Sequence, residues 1–111
     1  MALSQERSAR NESVFREANE LIEERVDELV LQGGRPVFLC ECDDIECRAV
    51  LRLTREEYEE VRSEPNRFVV APGHEDEGSE VVLTTDRYQV IEKSGRAGSV
   101  AERLDPRARR P

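Results

Sequence analysis

FLCECDDIEC, residues 38–47, holds all three cysteines of this 111-residue chain within one short window, and the fold turns on how that window is read. Flanking DDIE, the runs VFLCEC and RAVLRL are short and rich in strand-forming residues, which predicts two strands of an antiparallel hairpin closed by the turn through Asp43, Asp44, Ile45 and Glu46. Alternate residues of a strand share a face, so Cys40 and Cys42 point the same way and the turn folds Cys47 back towards them. Zinc binds thiolate sulfur and imidazole nitrogen in a tetrahedron, with Zn–S near about 2.3 Å, so a fourth donor has to come from elsewhere. The only histidine, His74, follows the Pro72-Gly73 turn at the end of another strand-like run, RFVV. Cys40, Cys42, Cys47 and His74 are therefore the candidate ligands of a site that offers three thiolates and one imidazole to Zn2+.

Other readings of these residues stay open. Reduced cysteines pack as small apolar groups or serve redox and catalytic chemistry, and a histidine in a charged loop is often just a surface side chain. The acidic Glu41, Asp43, Asp44 and Glu46 should repel a thiolate cluster. Backbone N–H groups of the turn, or Arg48 and Arg52, are expected to offset that repulsion.

Working outward, residues 1–10 are polar and read as a mobile arm. From Asn11 to about Leu31, Val14, Phe15, Ala18, Leu21, Ile22, Val26, Leu29 and Val30 recur at three- and four-residue spacing, which predicts a long helix with one apolar stripe. That stripe can pack internally or against a second copy. QGGRP, residues 32–36, should end the helix. After the hairpin, Thr54 and Glu57 form a capping-box pattern opening a short helix that Pro65 ends. RFVV, EVVLTT and RYQVIEK predict a third strand and a terminal hairpin turning near Thr85 and Asp86. Residues 94–111, rich in Gly, Ser, Arg and Pro, read as a disordered tail. The expected fold is α+β, with a single zinc-site domain over residues 11–93.

Charge narrows the function. The tail carries five arginines against Glu102 and Asp105, a net of +3, which leaves −11 on residues 1–93 out of a total of −8. An acidic body argues against nucleic-acid binding and suits a basic protein surface, while the arginine tail leaves a contact with nucleic acid or an acidic protein open. The start lacks the apolar region of a signal peptide and no run reaches transmembrane length, so a cytoplasmic protein is expected, where clustered thiols stay reduced.

The combination of FLCEC, a cysteine a few residues on, the helix LTREEYEEVR and the turn RFVVAPGHE resembles a family of small uncharacterised bacterial proteins. The resemblance covers about residues 11–93 and implies a common architecture and metal site, with no activity attached. One departure is DDIE between Cys42 and Cys47, where a glycine or proline would ease the turn.

Three functions compete. The first is a zinc-stabilised interaction or regulatory protein. The second is a redox-responsive zinc switch, in which oxidation pairs two cysteines and ejects the metal. The third is a zinc enzyme whose open site uses the three cysteines alone, with Glu75 or Asp76 as general base. The sequence favours a non-enzyme, because G-x-S-x-G, H-E-x-x-H, a phosphate-binding glycine loop and the deaminase H-x-E…P-C-x-x-C pattern are all missing.

Overall fold

The computed structural model describes residues 4–25 and 36–109. Helix α1 (Gln5–Glu24) leads into the hairpin strands β1 (Val37–Leu39) and β2 (Val50–Arg52), then helix α2 (Arg55–Val61). Strands β3 (Arg67–Val70), β4 (Glu80–Thr84) and β5 (Gln89–Glu92) follow, then helix α3 (Gly95–Arg103) and a 3-10 turn at Pro106–Arg109. The class is α+β, with two small antiparallel sheets: β1-β2 pairs Phe38 with Leu51, and β3-β5-β4 places β5 in the middle.

Helix α2 forms as its sequence dictates. Thr54 Oγ1 accepts from Glu57 N (3.0 Å) while Glu57 Oε1 accepts from Thr54 N (2.8 Å), the reciprocal bonds of a capping box at the start of α2. Helix α2 turns Tyr58 inward, and its ring stacks on Phe38 with centroids 4.4 Å apart, joining the hairpin to the main core of Phe68, Val69, Val70, Val90 and Ile91.

Helix α1 departs from expectation in start and in face. Ser4 caps it, its Oγ accepting from Arg7 N (3.1 Å), so the segment expected to be an arm is helical from Gln5. Its buried side is Ser8, Ala9, Glu12, Ser13, Arg16, Asn19 and Glu20, whereas Val14 and Leu21 of the apolar stripe are 56% and 60% exposed. The expected helix beyond Arg25 and its QGG stop lie outside the described residues.

The reason for the polar buried face is that its charged and amide groups meet partners far along the chain, while Ser13 donates to the Ala9 carbonyl within the helix (2.7 Å). Arg16 donates to the carbonyls of Pro65 and Ala101, both at 2.6 Å, and its guanidinium lies 4.4 Å from the centre of the Phe68 ring. Glu20 accepts from Arg62 (3.3 Å) and Arg107 (2.7 Å), and Arg62 also pairs with Asp105. Lys93 Nζ sits 2.8 Å from Glu12 and 2.8 Å from Asp76. Burying a charge is costly unless it is paired, and Arg62 with Glu20 and Asp105, Arg107 with Glu20, and Lys93 with Asp76 are paired across α1, α2 and the C-terminal segment.

The expected disordered tail is corrected by the same packing. Ala97, Val100 and Ala101 of α3 are buried, and Ala97 and Val100 form a small cluster with Ala9 of α1. Gly98 lets the start of α3 fold closely over the end of β5, where a Cβ would stand 3.0 Å from the Lys93 carbonyl. Arg107, expected on a solvated basic end, is held by Glu20, Glu23 and Glu59.

Candidate metal centre

Antiparallel pairing of β1 with β2, with Leu39 opposite Val50, makes residues 40–49 the closed end of a hairpin. Cys40 N donates to the Ala49 carbonyl (3.1 Å), so the chain stays in hairpin contact beyond Leu39. Asp44 supplies the turn that a glycine or proline was expected to ease: its carbonyl accepts from Cys47 N (2.9 Å) and its Oδ1 from Glu46 N (3.0 Å). An aspartate can replace glycine here because its side chain satisfies the backbone locally, and no non-glycine residue among those described has positive φ. Helix α1 pins the turn from outside, with Ser8 Oγ donating to Asp43 Oδ2 (2.8 Å) and Asn11 Nδ2 to the Asp43 carbonyl (2.9 Å).

The fourth donor arrives from β3. After Val70 the chain turns at Pro72-Gly73, where Gly73 takes φ +85°, and His74 N closes the turn on the Ala71 carbonyl (2.9 Å). His74 Nδ1 then lies 3.5 Å from Cys40 Sγ and 3.7 Å from Cys47 Sγ. The ligand atoms of Cys40, Cys42, Cys47 and His74 all fall within 4.8 Å of one another. Tetrahedral zinc with sulfur at about 2.3 Å separates neighbouring sulfurs by roughly 3.8 Å, so the group could hold a metal ion with small side-chain adjustments. Cys40 and Cys42 are buried, Cys47 is half-buried and His74 is exposed, so the cluster sits at the rim of the core.

The electrostatics favour binding of a cation. Ala71 N donates to Cys40 Sγ (3.2 Å) and Ala49 N to Cys47 Sγ (3.5 Å), each bond favouring the thiolate. Both donors are backbone amides, but neither belongs to the turn of Asp43–Glu46 that was expected to supply them: Ala49 lies just before β2, and Ala71 just after β3 of the other sheet. Arg48 donates to the Glu46 carbonyl instead of a sulfur. Within the trio the hydrogen bond from Cys40 brings the Cys42 pKa down to about 5, while that same bond and burial push Cys40 up, and burial pushes Cys47 up. The thiols thus stabilise one negative charge among themselves, and further deprotonation calls for a bound cation.

Glu41 was expected beside the thiolates, and the pleat turns it the other way. It is wholly buried on the core side, where Oε1 accepts from Val69 N (2.9 Å) and Oε2 from Asn19 Nδ2 (2.8 Å) and Tyr58 OH (3.2 Å). Burial pushes its carboxyl up, against hydrogen bonds from Asn19 and the Val69 amide. Asn19 also grips Leu39, donating to its carbonyl (2.9 Å) and accepting from its N–H (2.8 Å). Sequence reading passed over the anchoring roles of Glu41, Asn19 and Asp44. The one available signal was a carboxylate between two cysteines, which strand alternation must send to the opposite face.

No family model, curated protein or solved structure matches this chain. Its function therefore has to be argued from the site.

Proposed function

We propose that the chain is a small interaction or regulatory protein whose Cys40, Cys42, Cys47 and His74 hold Zn2+ as a structural clip. The observation that carries this reading is the convergence of four soft donors, all within 4.8 Å, on two loops fixed by backbone hydrogen bonds. Three sulfurs and one imidazole nitrogen form a donor set that zinc prefers, and zinc supplies there a charge centre that ties β1, β2 and the β3 turn together. The chain's own residues do the rest. Ala49 and Ala71 amides stabilise the sulfurs, Asp44 shapes the turn, and Glu41 anchors the same strand to α1, α2 and β3.

Two observations bear on the competing readings. An open enzyme site needs His74 away from the sulfurs, and its 3.5 and 3.7 Å contacts speak against that. The redox-switch reading draws support from Cys47, the one half-buried sulfur, with two more thiols beside it. A reducing, cytoplasmic setting suits three unpaired thiols. No helix among the described residues is long and apolar enough to cross a membrane.

The test is elemental analysis of protein purified without metal-binding tags, as wild type and His74→Ala. One zinc per wild-type chain, lost or weakened in His74→Ala, supports the closed clip. Equal zinc at equal affinity in both refutes His74 as a ligand, and absence of zinc from both refutes the site. Zinc release at low peroxide would favour the switch.

A further inference from the structure

Open strand edges invite pairing, and this fold closes most of its own with side chains. The outer edge of β1 is met by Asn19, whose amide bonds both the N–H and the carbonyl of Leu39. The outer side of β3 is met by Glu41, through its carboxylate on Val69 N and its own N–H on the Val69 carbonyl (2.7 Å). Strand β2 is three residues long, and Arg87 takes the Arg52 carbonyl (2.7 Å). Strand β4 is different. It pairs only with β5 among the described residues, every residue in it is exposed, and Val81, Val82 and Leu83 stand 37–44% exposed in succession.

A groove of about 460 Å³ runs beside that edge, between α2 and β4-β5. Its apolar lining includes Val61, Val82, Leu83 and Val90. Consecutive residues of a regular strand point to opposite faces, yet Val82 and Leu83 both line the groove, because β4 carries a bulge between Val81 and Leu83. Bulges re-aim side chains in this way, and this one enlarges the apolar surface offered to the groove.

The rim gives the sign of the occupant. Glu56 and Glu60 stand exposed on the groove side of α2. Glu57 is already engaged by Arg87 (2.7 Å), and the one cation among the lining residues, Arg67, is paired with Glu92 at 2.9 Å. An apolar trough with two available carboxylates on a chain of net charge −8 fits an apolar side chain flanked by cations, and disfavours a second acidic copy of this chain. We propose that this groove docks an extended basic peptide, its apolar side chain on Val82 and Leu83, its Lys or Arg side chains at Glu56 and Glu60, and its main chain added to the free edge of β4. This rests on reading the chain as an interaction module and not on the metal. It follows the recurring mode in which a peptide adds a strand to a sheet and side-chain pockets set specificity.

The experiment titrates the ¹⁵N-labelled, zinc-loaded full chain with a short peptide alternating valine or leucine with lysine, and with its twin carrying glutamate for lysine. The expected result is binding of the lysine peptide only, with amide shifts centred on residues 80–84 and 55–61 and affinity falling as salt rises. Leu83→Glu should weaken binding by about tenfold or more, and Glu56→Lys with Glu60→Lys should turn preference to the glutamate peptide. These positions are exposed, so the variants keep the fold, and their spectra check it. No binding, equal binding of both peptides, shifts confined to other elements, or affinity indifferent to these substitutions overturns the proposal. So does a dimer in sedimentation that Leu83→Glu disperses, which would assign the edge to a second copy. Zinc per chain on the same samples separates the readings. Lost peptide binding with zinc intact overturns this inference alone, and intact binding without zinc overturns the metal reading alone.

Discussion

Replacing Glu12 by glutamine should flatten part of the pH dependence of stability. Glu12 is fully buried, with Lys93 Nζ 2.8 Å from Oε1 and no hydrogen-bond partner at Oε2. Burial outweighs the attraction of Lys93 and pushes the carboxyl from 4.5 to about 9. A carboxyl whose folded pKa is raised contributes its stability below the unfolded value and loses it as pH rises from there to the folded value. At pH 7 the folded chain still holds a proton that the unfolded chain has released, a cost of roughly 3 kcal/mol, rising to about 6 kcal/mol near pH 9. Glutamine keeps the shape of the protonated acid and does not titrate, while Lys93 retains Asp76 at 2.8 Å. Urea unfolding followed by circular dichroism at several pH values, with metal saturating, should show the two proteins nearly equal at pH 5. By pH 8 Glu12→Gln should be the more stable by a few kcal/mol. A gap that stays constant, or a wild type that gains on the variant with rising pH, would show Glu12 ionised in the fold and held by Lys93, and the argument from burial would fail.

Further substitutions probe the other contacts. Asn19→Ala removes the grip on Leu39 and one donor to Glu41, and should cost about 2–4 kcal/mol in urea unfolding; a loss under about 1 kcal/mol would mean that water replaces the amide. Tyr58→Phe leaves the stack on Phe38 and deletes only the bond to Glu41, so about 1 kcal/mol is expected by the same assay, and a much larger loss would place more weight on the hydroxyl than its 3.2 Å contact explains. Cys42→Ser should abolish stoichiometric metal and lower the melting temperature, as should a strong chelator on the wild type, with zinc restoring only the latter. Thermal scans unaffected by chelation would contradict a stabilising clip.

Most strands, the capped helix α2 and the cysteine turn were legible because their signals are local: alternation, a four-residue capping pattern, a cluster in one window. The buried side of α1 was not. Its polar residues are compensated by Lys93, Arg62, Glu41 and backbone carbonyls far along the chain, and no periodicity in residues 5–24 encodes those partners. Of the expected apolar stripe, Val14 and Leu21 face outward, while Phe15 and Ala18 are half-buried and Ile22 packs against the core. Helix α3 was hidden differently: Ala97, Gly98 and Ala101 bury through closeness more than bulk, which composition reads as a tail. For the site, residue types and spacing pointed to the four donors, while the amides of Ala49 and Ala71 could be assigned only once the strands were paired.

The side-chain stoppers on β1 and β3 set how far self-association can spread. A sheet with two free margins can add copies at both and polymerise into a fibre, whereas one with a single free margin has a valence of one. With Asn19 on β1, Glu41 on β3 and Arg87 on the Arg52 carbonyl of β2, the edge of β4 is the margin left open among the described residues. The fold should therefore accept a single added strand and no more, and Asn19→Ala should be the change that opens a second margin.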